Sequence, residues 1–104
     1  MRPQVLFLAA AAASLSNAAA LAADAQQLLK DKACLACHTV DKKLVGPSYK
    51  EVAAKYRLRK DAEAYLVKKI KEGSTGVWGP VPMPPNAVND GDARTLAKYI
   101  LTIK

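Results

Sequence analysis

Cysteine and histidine are scarce in this chain of 104 residues. It contains two cysteines, Cys34 and Cys37, and a single histidine, His38. Both cysteines belong to one short motif, so the chain has no structural disulfide framework. The same three side chains supply only three of the four ligands that a structural zinc ion needs, and a carboxylate would have to complete the set. Any metal-binding or redox site that uses cysteine or histidine must therefore lie at residues 34–38.

Long apolar runs are also absent beyond the N terminus. A positively charged start, an apolar run over residues 5–13 and the A-x-A pattern Ala20-Leu21-Ala22 predict a secretory signal peptide. We therefore expect residues 1–22 to be removed and residues 23–104 to form the mature domain. The apolar run is too short and too rich in alanine to make a good spanning helix, although an uncleaved membrane anchor stays open.

Acidic residues are outnumbered by basic ones. The chain has 16 lysines and arginines and 9 aspartates and glutamates, which gives a formal net charge of +7. Most of the lysines are typical of a solvated surface. Their excess also favours steering toward an acidic redox partner or an anionic membrane surface. Nucleic acid is not expected as a partner, because export separates the protein from it and no recognition motif is present.

The segment Cys34-Leu35-Ala36-Cys37-His38 has the C-x-x-C-H pattern of c-type haem attachment. On one helical turn the two sulfurs can bond to the haem vinyl groups while the imidazole reaches the iron. A thioredoxin-like dithiol would need a neighbouring strand of a βαβ unit, and none is evident. A plain disulfide would leave His38 without a role. A buried haem would also supply apolar mass that so small a domain lacks.

Residues 73–88 hold three of the five glycines and four of the six prolines, which excludes a helix or a central strand. This loop contains Met83, the only methionine once Met1 leaves with the signal peptide. A lone methionine can fill a core, but His38 and Met83 would form the usual axial pair of an electron-transfer haem. The prolines would lower the entropy lost when the loop binds iron. A vacant or labile sixth position would instead indicate a haem enzyme or a gas sensor.

Three further residues have both a plain and a functional interpretation. A haem-bound histidine needs an acceptor for its free ring N–H, and the carbonyl of Pro47 is well placed in sequence to provide it. Trp78 is either a buried aromatic of the loop or a donor to a haem propionate. Asn86 is either a turn residue or an amide donor to the methionine sulfur.

Apolar residues at helical spacing predict four helices and an all-α domain. Asp24 is expected to cap the first helix, which runs into the haem motif. Ser48 and Glu51 form a capping box for the second. Asp61 is expected to cap the third, and Gly73 to end it. Asn89 is expected to cap the last.

Taken together, these residues resemble the short bacterial class I cytochromes c. The most specific stretch is Gly76-Val77-Trp78-Gly79-Pro80 followed by Pro82-Met83-Pro84-Pro85-Asn86, alongside the haem motif and Val45-Gly46-Pro47. The resemblance covers the mature chain, although the family often has tryptophan where Tyr99 stands. It implies about four helices wrapped around one covalent haem c, thioethers from Cys34 and Cys37, and axial His38 and Met83.

The resemblance further implies that Pro47 accepts from His38, that Asn86 supports Met83 and that Trp78 contacts an inner propionate. Lys69 stands where members carry a basic propionate partner, often arginine. The group serves nitrite reduction and terminal oxidases, which implies a periplasmic monomer that shuttles single electrons. Its partners would be redox proteins with acidic docking surfaces, such as nitrite reductase, a terminal oxidase or a bc1-type complex. The rival hypotheses are a haem enzyme or sensor with a labile methionine ligand and a haem-free thiol oxidoreductase.

Overall fold

The computed structural model describes the backbone of residues 6–104 and the side chains of residues 19–104. Its helices are α1 (Leu6–Asp31), α2 (Tyr49–Tyr56), α3 (Ala62–Glu72) and α4 (Asp90–Leu101). A single 3-10 turn, Cys34–Ala36, follows α1. Within the described residues there is no β-strand, only an isolated antiparallel bridge between Ser74 and Met83. The predicted all-α architecture is therefore confirmed.

Helix α1 begins at Leu6, so Asp24 lies inside it rather than at its start. The segment before Asp24 is rich in alanine, the residue with the highest intrinsic helix propensity, and this favours a continuous helix in the uncleaved chain. Residues 1–5 of the predicted signal peptide lie outside the described residues. In the described part of the chain, no helix has both the length and the apolarity needed to cross a membrane.

Local hydrogen bonds fix most of the other helix ends. The Glu51 N–H donates to Ser48 Oγ over 3.1 Å, and the Asp92 N–H donates to Asn89 Oδ1 over 2.7 Å. These two predicted caps are confirmed. Asp61 precedes α3, but its side chain accepts no capping hydrogen bond. Its carboxylate pairs instead with the guanidinium of Arg59, so the prediction of a side-chain cap there was wrong.

Helix α4 packs against each of the other three helices and supplies the centre of the core. Its inward side chains are Ala93, Leu96, Ala97 and Ile100. The buried apolar side chains of the other helices are Ala25, Leu29, Tyr49, Val52, Ala53, Tyr56, Ala62, Leu66 and Ile70. At the contact between α1 and α4, the Gln26 amide also donates to the Tyr99 hydroxyl over 3.2 Å. This arrangement leaves one side of the core facing the 3-10 turn and the proline-rich loop.

Candidate functional site

A cavity of about 520 Å³ lies between the core, the 3-10 turn and the loop over residues 73–88. Seven of the predicted site residues line it: Cys34, Cys37, His38, Pro47, Lys69, Trp78 and Met83. Apolar core side chains form much of the remaining wall: Leu29, Val52, Leu66, Ile70, Leu96 and Ile100. A concave, mainly apolar site with a few convergent polar groups is typical of a cofactor site.

The two cysteines lie on a tight turn that follows α1. Ala33 has a φ of 59°, in the left-handed region, and this turns the chain away from the helix axis. The N–H groups of Cys37 and His38 then both donate to the Cys34 carbonyl, over 3.2 and 3.0 Å. Both thiols are half-buried and free, and burial raises the pKa of the Cys34 thiol. The turn therefore presents both sulfurs and the imidazole to one cavity.

The imidazole of His38 is held in one orientation. Its Nδ1 lies 2.8 Å from the carbonyl oxygen of Pro47, which can only accept. Nδ1 is therefore the protonated nitrogen, and Nε2 keeps the lone pair that binds a metal. The ring of Tyr49 stacks against the imidazole with centroids 5.1 Å apart. At Gly46, an added Cβ would lie only 2.6 Å from His38 Cε1, so only glycine leaves room for the ring.

The loop that carries Met83 is tied to the end of α3. Ser74 and Met83 exchange two backbone hydrogen bonds, over 3.0 and 2.8 Å. Gly73 precedes them with a φ of 82°, and a Cβ on it would lie 2.5 Å from the Met83 carbonyl oxygen. These contacts hold the loop at the end of α3, so Met83 reaches the cavity wall from a fixed point. The loop is not a flexible polyproline segment.

The side chain of Asn86 anchors the same loop from the other side. Its amide donates to the Ile70 carbonyl over 3.0 Å and to the Pro84 carbonyl over 3.3 Å. The backbone N–H of Asn86 also donates to Ile70 O, over 3.2 Å. Asn86 does not line the cavity, and its amide bonds go to backbone carbonyls rather than to the Met83 sulfur. Its direct contact with the thioether stays a prediction.

Trp78 and Lys69 lie in the cavity wall beside tyrosines. The Trp78 ring meets the Tyr56 ring edge-on at 6.2 Å, and Lys55 Nζ lies 5.1 Å from the Trp78 ring centroid. Lys69 Nζ lies 5.2 Å from the ring of Tyr65. Both predicted residues line the cavity, and their contacts to a propionate stay predictions.

Sequence reasoning assigned three cavity tyrosines only to helix faces. Tyr49, Tyr56 and Tyr65 all line the cavity, and the rings of Tyr56 and Tyr65 are in tilted contact with centroids 4.8 Å apart. Burial, together with the neighbouring Tyr65, raises the pKa of Tyr56 to about 12. Tyr49 and Tyr56 are seven residues apart, so they lie on one face of α2. That spacing was the available signal that both rings border the same space.

The residues present fit a covalently attached haem. Two thiols flank an imidazole whose Nε2 is free, and a thioether lies in the same cavity wall. The hydroxyl of Tyr49 is buried there without a hydrogen-bond partner. Buried polar groups rarely lack a partner in a native protein, so this orphaned hydroxyl fits a cavity that holds a bound group. Lys69 and the indole N–H of Trp78 add donors suited to carboxylates.

Comparison with known proteins gives concordant matches. The sequence profile of the family described as Cytochrome c matches residues 22–104. Cytochrome c-551 of Pseudomonas aeruginosa is 52% identical over 104 residues, which cover 100% of both chains. Cytochrome c-552 of Hydrogenobacter thermophilus is 57% identical over 79 residues, which cover 76% of this chain and 81% of that protein.

A solved structure shares the fold. The crystal structure of wild-type Nitrosomonas europaea cytochrome c552 superposes with a TM-score of 0.74 and 55% sequence identity. The match covers 76% of this chain and 99% of that one. The predicted helical fold around a single site therefore has a close structural counterpart.

Proposed function

This chain belongs to the cytochrome c family, and we propose that it is a periplasmic single-electron carrier whose haem iron is held by His38 and Met83. As a member of that family it is an electron-transfer protein with one covalently bound haem c. One observation supports the proposed ligand set above the others. A single cavity wall contains both cysteines, the only histidine and the only methionine of the proposed mature chain.

In this proposal, Cys34 and Cys37 form the thioether bonds and fix the haem in the cavity. The bound haem supplies an iron that cycles between ferrous and ferric. The Pro47 carbonyl holds the His38 ring and increases the basicity of its Nε2, while Gly46 gives the ring space. The anchored loop presents the Met83 thioether, which raises the reduction potential. Trp78 and Lys69 would bind a propionate, and Asn86 would support the loop.

We further propose that the protein is an electron carrier rather than an enzyme. If His38 and Met83 both bind the iron, no coordination position would remain open for a substrate. The runner-up is a haem enzyme or gas sensor, which would need a labile sixth ligand. The two backbone bonds between Ser74 and Met83 and the two bonds of the Asn86 amide favour a stably presented ligand.

Replacing the proposed axial ligand tests this function. We expect Met83→Ala to lose the weak absorbance that methionine ligation gives ferric haem near the red edge of the visible spectrum. Its ferrous form should bind carbon monoxide, and its reduction potential should fall. A second variant, Val81→Ala, changes an exposed side chain of the same loop and should keep all three properties. Ready binding of carbon monoxide by the wild type would contradict the proposal.

The proposed docking surface surrounds the opening of the cavity. Large apolar side chains are exposed there on both flanking segments: Leu35, Leu44, Val45, Val77 and Val81. Lys43 lines the same opening. An apolar patch with nearby cations suits brief contact with an acidic redox protein, such as nitrite reductase, a terminal oxidase or a bc1-type complex. We propose that the protein meets such partners as a monomer.

We also propose that residues 1–22 are a signal peptide and that the mature protein begins at Ala23. The charged start, apolar run and A-x-A site support this proposal. The mass of the protein recovered from the periplasm tests it. That mass should equal the chain from Ala23 plus one haem, and a mass that includes residues 1–22 would contradict it.

A further inference from the structure

The loop between α2 and α3 exposes a leucine almost completely. Leu58 is 95% exposed, whereas the other exposed large apolar side chains among the described residues range from 37% to 60%. A single exposed apolar side chain is common on protein surfaces, but this one stands among cationic neighbours in sequence, a combination typical of contacts with lipid surfaces. Residues 57–61 do not line the haem cavity, so the docking surface proposed above does not explain this leucine.

Three of the four residues in this segment are cationic: Arg57, Arg59 and Lys60 surround Leu58. We call residues 57–60 the basic loop. Arg59 pairs with Asp61, which offsets its charge. Neither Arg57 nor Lys60 belongs to any of the three ion pairs found among the described residues. The loop therefore carries an apolar tip and two cations without carboxylate partners.

Hydrogen bonds hold the basic loop in this conformation. The Arg57 guanidinium donates to the Ile103 carbonyl over 2.7 Å, next to the C terminus. The backbone N–H of Arg59 donates to the Tyr56 carbonyl over 3.0 Å, and its guanidinium lies 3.9 Å from the ring of Tyr65. Both arginine side chains are therefore held by the protein while they stay exposed, and Leu58 projects into solvent between them.

We propose that the basic loop is a contact site for an anionic lipid surface, with Leu58 entering the headgroup region and Arg57 and Lys60 facing the lipid charges. One projecting side chain buries far less than the roughly 1,200 Å² that a specific protein interface needs. A bilayer requires no matching pocket and accepts a single apolar side chain flanked by cations. The formal net charge, +7 for the whole chain and +6 once Arg2 leaves with the proposed signal peptide, adds a long-range attraction toward anionic lipid.

This inference goes beyond the proposed function and does not depend on the axial ligands. A protein that touches lipid through the basic loop keeps the opening of its haem cavity free, because no residue of the loop lines that cavity. The contact would concentrate the carrier near membrane-bound redox proteins without blocking the surface through which electrons pass. Weak, reversible binding is sufficient for this role.

Flotation of the haem-loaded protein with lipid vesicles tests the proposal. The probes are vesicles of phosphatidylcholine alone and vesicles in which about a third of the lipid is phosphatidylglycerol, at low salt. The haem absorbance of the floated fraction measures binding. Leu58→Asp is compared with Val40→Asp, which makes the same change in charge at a residue that is 42% exposed and does not line the haem cavity. An unchanged visible spectrum verifies that each variant is folded.

We expect the wild type to float only with anionic vesicles. Leu58→Asp should lower the bound fraction about fivefold or more, and Val40→Asp should lower it much less. Leu58→Phe should bind at least as well as the wild type. Equal losses in the two aspartate variants would overturn the proposal, since net charge alone would then explain binding. So would a wild type that ignores anionic vesicles, or a Leu58→Asp variant that slows electron exchange with a redox protein while its lipid binding is unchanged.

Discussion

At the scale of single residues, the proposed site depends on how the His38 ring is held. Pro47 O fixes one nitrogen, the Tyr49 ring stacks on one face, and Gly46 leaves space beside Cε1. Each contact limits a different motion of the imidazole. Together these contacts fix the orientation of the ring, so we expect little rearrangement of His38 when a bound iron changes oxidation state.

The space at Gly46 gives the first prediction. In Gly46→Ala the new methyl group would lie 2.6 Å from His38 Cε1, so the ring or the loop must move. We expect the free energy of unfolding to fall by about 1–3 kcal/mol, the usual cost of overpacking. Guanidinium unfolding followed by haem absorbance measures it.

Gly91→Ala is the matched control for this change. The nearest atom to an added Cβ at Gly91, Asn89 Oδ1, lies at 3.4 Å, which is an ordinary contact. Because Gly91 lies in α4, alanine there should be neutral or slightly stabilising. Equal stability of Gly46→Ala and the wild type would show that the His38 ring has more freedom than its contacts indicate.

The chemistry of single residues was more predictable from the sequence than their packing. An iron ligand of this kind must supply an imidazole nitrogen or a thioether sulfur. The proposed mature chain has one histidine and one methionine, so the sequence offered few other candidates for the two ligands. The Pro47 contact was expected because a ligating imidazole needs an acceptor. The unpartnered hydroxyl of Tyr49 was not expected, because its burial depends on tertiary packing that the sequence does not show. Asn86 was placed in the correct loop, but its partner Ile70 O lies 16 positions away in the chain.

At the scale of secondary-structure elements, the end of α3 and the methionine loop behave as one unit. Gly73 ends the helix, its N–H donates to Lys69 O over 2.9 Å, and the next residue pairs with Met83. The side chain of Asn86 then connects the far end of the loop back to α3. Displacing the end of α3 should therefore displace the thioether.

Two glycines with similar φ angles allow that coupling to be measured. Gly73 has a φ of 82° and Gly76 a φ of 78°, so alanine is disfavoured at both. Only at Gly73 would the added Cβ also approach the Met83 carbonyl, at 2.5 Å, because nothing lies within 4 Å of a Cβ at Gly76. We expect Gly73→Ala to lose stability by about 1–3 kcal/mol more than Gly76→Ala.

The spectrum distinguishes a clash that reaches the ligand from one that only destabilises the fold. In Gly73→Ala the absorbance typical of methionine ligation should weaken and the ferrous protein should bind carbon monoxide faster. Gly76→Ala should resemble the wild type in both properties. If the two variants behave alike, the loop position does not depend on the end of α3.

Helix ends were predictable where they depend on neighbours in sequence. Ser48 and Asn89 cap as expected, because each accepts from an N–H only three residues ahead. Asp61 does not cap, because the guanidinium of Arg59 competes for the same carboxylate. The start of α1 was predicted for the chain after cleavage, whereas the structure describes the uncleaved chain, in which alanine-rich helix continues back to Leu6.

At the scale of the whole molecule, charge and shape have separate consequences. The excess of cations was evident from composition, and it predicts attraction to an acidic partner. The composition does not show where those cations lie relative to the cavity. That depends on the packing, which brings Lys43 and Lys69 to the cavity and leaves the basic loop away from it.

Electron exchange with an acidic redox partner should therefore depend on salt. We expect the bimolecular rate constant to fall several-fold as ionic strength rises from about 0.01 M to about 0.2 M, since the screening length shortens from about 30 Å to less than 10 Å. Stopped-flow mixing with candidate reductases measures it. Lys43→Gln should weaken the salt dependence more than Lys98→Gln, because Lys43 lines the cavity and Lys98 does not. A rate that ignores salt in the wild type would contradict steering by charge.

The buried tyrosines of the cavity give the last prediction, which concerns stability at alkaline pH. Burial raises the pKa of Tyr49, and burial together with Tyr65 raises the pKa of Tyr56 to about 12. In the unfolded chain a tyrosine has a pKa of about 10. The folded protein thus keeps phenol protons that the unfolded chain has already lost, and unfolding in this range releases protons. The stabilisation is complete below pH 10 and is lost as pH rises from 10 through 12.

The slope of the free energy of unfolding against pH tests this assignment. Each such group contributes at most about 1.4 kcal/mol per pH unit within the window. All other ionisable groups are the same in the wild type and the variants. Tyr56→Phe should therefore flatten the decline between pH 10 and 12, and Tyr49→Phe combined with it should flatten it further. Parallel curves for the wild type and the double variant would mean that the two phenols titrate as they do in water, and that the cavity wall is open to solvent at both rings.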